Sequence, residues 1–326
     1  MFTNNSDIPL TFAVWLAADH GYDLNYDPKV FSATDLLKPI RSLILSRKIK
    51  EESLQKESVD IAEVAAARLG TAVHTALEYA WTHHLEEALE ALDYPPSMRE
   101  RVKINPDPAT ADPTDLNVYI EQRSQKEVNG YTISGKFDFV ILGRVRDAKT
   151  TKTYTWINGS NNHKYMMQGS IYRWLNPDII TDDLMSIDYA FTDWSPLQAQ
   201  ANKDYPPQRI LSKELELLPI EVVDSFVQDK LRQIEDLQSK TDQNDLPLCT
   251  PDELWQDPAR WAFYKNPQNK KATKLYDSAA EAYAANSAIG NTGVVVERKA
   301  TPKFCTYCDA SSICLQADAF RSEGLL

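Results

Sequence analysis

Ser-Gly-Lys-Phe-Asp-Phe-Val-Ile-Leu-Gly-Arg-Val-Arg-Asp-Ala-Lys-Thr-Thr-Lys, residues 134 to 152, is the stretch whose reading decides the fold. Apolar and polar side chains alternate on both sides of Gly143, so the stretch reads as two antiparallel strands joined by a short turn. Side chains alternate faces along a strand. Asp138 and Val140 therefore share one face, and Val145, Asp147 and Lys149 share another. Pairing across the turn brings Asp138 and Asp147 together, with Lys149 two residues further along. Two carboxylates beside one ammonium make a site for a divalent cation with a built-in positioner for water or phosphate. The same acid-x-Lys triplet recurs at Asp27-Pro28-Lys29 and as Glu297-Arg298-Lys299. What distinguishes Asp147-Ala148-Lys149 is its apolar setting, with Ile133, Phe137, Phe139 and Ile141 around it. Charges at the edge of such a core are costly unless paired or bound to a metal.

Working outward, a long helix is expected from near Ser58 to near Leu92, because Ile61, Val64, Leu69, Val73, Leu77 and Leu85 recur at helical spacing. Gly70 interrupts it and is expected to mark a close approach of another backbone. Before this helix, Ser32 offers a cap, Pro39 suits the first position of a second short helix, and the apolar residues Phe12, Val14, Trp15 and Leu16 are expected to pack onto the body. After it, Pro95 to Pro113 reads as a loop, followed by strands over 117–128, 131–142 and 144–156. A helix over 163–175, closed by Asn176-Pro177, and a strand over 185–194 complete an α+β core with the acidic hairpin at its centre. A further helix is expected over 219–240. Three segments follow from this: an N-terminal helical piece at 1–56, a core at 57–195 and a C-terminal extension at 196–326.

Of the 326 residues, 43% are hydrophobic and 25% charged, as in a soluble globular protein. No run approaches the ~20 apolar residues of a membrane span, and no basic flank precedes an apolar segment at the start, so a cytoplasmic protein without a membrane partner is expected. The net charge of −12 argues against a broad electrostatic grip on nucleic acid, whose usual footprint is a basic face. Any grip on DNA must be local.

The chain has four cysteines. Cys305, Cys308 and Cys314 form Cys-x₂-Cys-x₅-Cys, and Cys249 stands apart. A disulfide framework is not the expected use of such spacing in an intracellular chain. Four thiolates can complete a tetrahedral zinc site or hold an iron–sulfur cluster.

Four motifs then occur in order: Gly-x-x-x-His at Gly70 to His74, Gly-x-x-Asp at Gly135 to Asp138, Asp-x-Lys at Asp147 to Lys149, and Gln-x-x-x-Tyr at Gln168 to Tyr172. On these residues the sequence resembles the PD-(D/E)XK nuclease superfamily and, within it, the RecB-like exonucleases of the phage-encoded kind, over roughly residues 30 to 195. The resemblance implies a restriction-endonuclease-like core and a Mg²⁺- or Mn²⁺-dependent deoxyribonuclease that hydrolyses DNA from its ends. Metal ligands would be His74, Asp138 and Asp147. Lys149 would orient or help deprotonate the attacking water, and Gln168 with Tyr172 would contact DNA phosphate or orient Lys149. Arg144, Arg146, Lys152, Lys164 and Arg173 would supply the local positive lining. The tail spacing resembles the iron–sulfur staple of AddB-type nucleases, which implies a [4Fe-4S] cluster, with Zn²⁺ as the alternative. In that family the isolated cysteine precedes the core, in the segment that here reads Leu36 to Arg41, whereas Cys249 follows it. Recombination or replication proteins are the implied partners, in the host cytoplasm if the chain is phage-encoded. Two other readings stay open: an endonuclease acting on flaps, junctions or sites, and a DNA-binding or assembly protein with the same fold and no turnover.

Overall fold

The turn that joins the two strands consists of Leu142 and Gly143, both at positive φ (53° and 78°), the backbone that suits a two-residue hairpin. The Gly143 carbonyl accepts from the amides of Thr181 (2.9 Å) and Asp182 (3.0 Å). Strand Phe139–Ile141 pairs antiparallel with Arg144–Thr151, Val140 lying opposite Val145. The register continues to place Asp138 beside Asp147, as the alternation predicts.

In the computed structural model, which describes residues 2–18, 26–52 and 58–326, the chain forms two compact units. The larger runs through Leu37 and from residue 58 to Arg232, and the smaller holds Lys38 to Glu52 and Gln233 to Leu326. These differ from the three expected segments, since helix Ile40–Glu51 belongs with the cysteine-bearing tail.

The larger unit is α+β, built on a six-stranded sheet. Its order is Ile210–Glu216, Leu184–Phe191, Arg144–Thr151, Phe139–Ile141, Leu116–Ile120 and Val102–Ile104. Strand Arg144–Thr151 is central, parallel to Leu184–Phe191 and antiparallel to Phe139–Ile141. A parallel pair needs a crossover, and helix Asn162–Leu175 supplies it. Large side chains of this unit are sealed around the sheet, among them Trp174, Tyr189, Phe137, Ile171 and Met185, each under 2% exposed.

Two expected strands are each divided. Residues 117–128 split into Leu116–Ile120 and Arg123–Val128, and residues 131–142 into Tyr131–Lys136 and Phe139–Ile141. Arg123–Val128 and Tyr131–Lys136 leave the large sheet and pair with each other, with Val30–Ser32 beside the latter. The bend occurs at Glu121, whose φ is 53°, and at Asp138, where the Glu121 amide donates to the Asp138 carbonyl (2.8 Å). Alternation reads continuously across such a bend, which is why periodicity does not disclose it. Residues 144–156 likewise end as a strand at Thr151, and Thr153–Asn158 is helical.

The long helix is Ile61–His83, started by Asp60, whose side chain accepts from the Ala62 amide. It breaks at His84, and Leu85–Ala91 follows as a separate helix. No described atom lies within 4 Å of where a Gly70 side chain would stand, so the close approach expected there is absent. The Ser32 cap is formed as a capping box with Asp35. In helix Leu10–Ala17 only Leu16 is buried, while Phe12 (59%) and Val14 (63%) are exposed. The expected packing of that segment is thus confined to one face, because apolar residues point from every side of so short a helix. Among the described residues no helix is long and apolar enough to cross a membrane.

The smaller unit has an antiparallel sheet in the order Lys274–Tyr276, Arg260–Tyr264, Val294–Arg298, and helix Ala279–Ser287. Its tail has two short 3-10 turns, Lys303–Thr306 with Cys305 and Ser311–Ile313, with Cys308 between them and Cys314 at the start of helix Leu315–Ser322.

Candidate active site and cysteine centre

Asp138 stands where the chain passes from one sheet to the other, and its carboxylate is already engaged on both oxygens. Oδ2 accepts from the Ala148 amide (2.8 Å) and Oδ1 lies 3.3 Å from His74 Nδ1. The long helix presents His74 to the central strand. Its Nε2 donates to the Ala148 carbonyl (2.9 Å), while Nδ1 also faces Glu121 Oε1 at 3.8 Å. With acceptors at both nitrogens the ring is held as imidazolium: hydrogen bonding to Asp138, then to Glu121, lifts its pKa from 6.5 to about 10. One ligand atom from each of His74, Glu121 and Asp138 lies within 4.8 Å of the others, and this is the sole such trio among the described residues.

Glu121 is the residue that sequence reasoning missed. It belongs to none of the four motifs, and it comes to the site only because the strand bends there. Its own partner is Lys136, in ion-pair contact. The left-handed backbone of a non-glycine residue at Glu121 is the signal that marks it, and it is visible only in the folded chain.

Asp147 is 3% exposed, and its buried Oδ2 is in ion-pair contact with the Lys149 ammonium. Burial raises its pKa, against the pull of Lys149. For Lys149 burial works to lower the value, and the Asp147 and Asp138 charges outweigh it, so the group stays an ammonium with a raised pKa. A buried carboxylate, a second carboxylate next to it and a third facing the same histidine supply oxygens of the kind that a hard divalent cation takes. Asp138, Asp147 and Glu121 therefore offer oxygens that fit Mg²⁺ or Mn²⁺, and His74 would join them only on giving up its Nδ1 proton.

Above Lys149 stands the Tyr165 ring, 5.4 Å from Nζ to its centroid. Gln168 Nε2 donates to the Tyr172 hydroxyl (2.6 Å), so this pair is joined along one helical face as the i, i+4 spacing predicts. Tyr172 is buried and lies over Gly135, where a Cβ would meet its ring at 3.0 Å. Three of the five basic residues expected to line DNA are held by acids. Arg144 pairs with Asp182 and Glu214, Arg146 binds Asp188 with two hydrogen bonds, and Arg173, itself buried, holds Asp183 and the Leu218 carbonyl. Lys152 and Lys164 are exposed.

In the smaller unit the four cysteines carry free thiols, Cys305 and Cys314 buried and Cys249 and Cys308 half-buried. Burial pushes the Cys249 thiol up to about 12 and Cys305 to about 11, with further upward pressure from the neighbouring sulfurs, all three of them in the case of Cys249. Gln316 fixes Cys249 by exchanging two hydrogen bonds with its backbone (2.8 and 3.0 Å). Helix Ile40–Glu51 brings Arg41 and Ser42 to these sulfurs. Arg41 Nε is 3.3 Å from Cys314 Sγ and Ser42 Oγ is 3.1 Å from Cys308 Sγ. Two of the four sulfurs thus face a polar group of this helix, and no three of the four lie within 4.8 Å of one another.

No protein-family model and no curated protein sequence matches the chain. Among solved structures it is similar to SSO0001, with a TM-score of 0.41 and 19% identity over 69% of this chain and 87% of that one. It is also similar to a phage-related exonuclease from Haemophilus somnus 129PT, with a TM-score of 0.28 and 14% identity over 65% of this chain and 94% of that one.

Proposed function

We propose that the larger unit is a metal-dependent nuclease that hydrolyses DNA phosphodiester bonds from an end. The observation that carries this is the buried Asp147 carboxylate in contact with the Lys149 ammonium, next to the His74–Glu121–Asp138 trio. The four sequence motifs support the same reading. Bound Mg²⁺ or Mn²⁺ would neutralise the non-bridging phosphate oxygens and lower the pKa of a water. The chain's own residues do the rest. Asp138, Asp147 and Glu121 supply the anionic oxygens, with Asp138 fixed by the Ala148 amide so that it is preorganised rather than free to rotate. Lys149 keeps its proton in the field of Asp147, which suits it to hold a nucleophilic water or to stabilise charge on the phosphate. Gln168, steadied by its hydrogen bond to the buried Tyr172, is proposed to face DNA phosphate, with Lys152 and Lys164 as local cations. The cysteines of the smaller unit are proposed to hold a metal centre, [4Fe-4S] in preference to Zn²⁺.

The test is Mg²⁺-dependent digestion of end-labelled linear DNA, single- and double-stranded, beside a covalently closed circle, comparing the natural chain with Lys149→Ala. Loss of linear DNA from an end by the natural chain alone supports the proposal. Cleavage of the closed circle moves the reading to an endonuclease. Binding without cleavage by either protein, with the metal present, overturns it in favour of a DNA-binding protein.

A further inference from the structure

Arg41 is a buried charge without a carboxylate partner among the described residues. It is 2% exposed, and its guanidinium reaches the Gln243 carbonyl (3.0 Å), the Leu246 carbonyl (3.1 Å), Gln243 Oε1 (3.3 Å) and Cys314 Sγ (3.3 Å). Guanidinium keeps its charge in any protein environment. Removing it from water is costly, and carbonyl dipoles offset that cost only in part. Every polar partner in this set is neutral except the sulfur, which carries charge when it ligates a metal. Gln243 reinforces the arrangement from the other side. It donates to the Ile313 carbonyl (2.7 Å) and accepts from the Leu315 amide (3.0 Å), so it clamps the backbone on both flanks of Cys314. One residue along the same helix, the Ser42 hydroxyl meets Cys308 Sγ.

We propose that Arg41 is the counter-charge of a thiolate-ligated metal centre, donating through Nε to the Cys314 sulfur while Ser42 donates to Cys308, and that this pair sets how tightly and at what potential the centre is held. The proposal rests on the reading of the cysteines as metal ligands. Arg41 and Ser42 are positioning residues here. Hydrogen bonds to ligating sulfurs and nearby positive charge raise a cluster's potential and the retention of its metal. A helix lacking a cysteine thus contributes to the centre through charge.

The experiment uses the full chain, purified without oxygen, with iron, sulfide and zinc measured per chain, and the variants Arg41→Gln, Arg41→Lys and Ser42→Ala. If the natural chain carries iron and sulfide, the expected result is a lower midpoint potential in Ser42→Ala and a larger drop in Arg41→Gln, with Arg41→Lys restoring part of it. If it carries zinc, release to a chelator is expected to quicken by about tenfold or more in Arg41→Gln. Ser42→Ala keeps every contact of Arg41, so it guards against a variant that merely fails to fold. Full metal content in the natural chain with unchanged potential or release in all variants overturns the role of Arg41 and leaves the cysteine centre standing. Equal loss of melting temperature in the loaded and metal-free forms, with the potential unmoved, also overturns it as a purely structural contact. A natural chain that holds neither metal after reconstitution overturns the cysteine reading and this inference together.

Discussion

His74 Nδ1 lies 3.3 Å from Asp138 Oδ1, while the opposite nitrogen of the same ring meets the Ala148 carbonyl at 2.9 Å. The long helix is therefore tied to the central strand through the residue between Asp147 and Lys149, and the three motifs share one hydrogen-bonded centre.

Replacing Lys149 by alanine is expected to lower DNA hydrolysis by about a hundredfold or more, since a positioned charge or proton donor contributes on that order. It also leaves Asp147 buried without its cation, so the metal-free variant is expected to melt lower than the natural chain. Added Mg²⁺ should restore part of the difference. Calorimetry with and without the metal checks this.

For Asp138→Asn and Asp147→Asn the expected outcome is loss of both cleavage and the rise in melting temperature that Mn²⁺ gives the natural chain. Each substitution removes a charged donor and keeps the side-chain shape. A Mn²⁺ shift that persists in Asp147→Asn would remove Asp147 from the ligand set.

Glu121→Gln tests the residue outside the motifs. Its carboxylate lies in the trio with His74 and Asp138, so metal affinity is expected to fall by about tenfold. Titration of Mn²⁺ by electron paramagnetic resonance reads this directly, and unchanged affinity would confine Glu121 to its ion pair with Lys136.

The stability of the metal-free protein is expected to depend on His74 at alkaline pH. Folding raises its pKa from 6.5 to about 10, so the folded chain binds the proton more tightly than the unfolded one. The stabilisation is complete below the unfolded value and is lost as pH rises through about 10. Chelated protein should therefore lose more stability between pH 7 and pH 10 than chelated His74→Gln does, measured by denaturant unfolding. Parallel curves would contradict the assignment.

Gly143→Ala is expected to destabilise the fold by about 1–3 kcal/mol. The position has a φ of 78°, and an added Cβ would press into Thr181 Oγ1. Because this turn sets the register of Asp138 against Asp147, activity should fall at temperatures where the circular-dichroism signal is still that of the folded chain.

Much of the site is local in the chain, and that part was legible. A strand's two-residue period puts Asp147 and Lys149 on one face, the glycine at 143 makes the turn, and the i, i+4 spacing joins Gln168 to Tyr172. Those are short-range consequences of backbone geometry, which composition and spacing encode. The bend at Glu121 and Asp138 was not legible, because an alternating pattern continues unbroken when a strand passes from one sheet to another. Nor was the fate of the arginines: Arg144, Arg146 and Arg173 read as surface cations and fold against Asp182, Glu214, Asp188 and Asp183, which lie at least ten positions away in sequence.

The sequence by itself determined the α+β elements of the core, the hairpin with its acids and lysine, and the close spacing of Cys305, Cys308 and Cys314, since each follows from residues a few positions apart. Only the tertiary structure decided that Glu121 joins the acids and that Arg41 and Ser42 meet the sulfurs of Cys314 and Cys308. Both depend on contacts between distant segments, and it is the burial of apolar surface on folding, not local spacing, that chooses which distant segments meet.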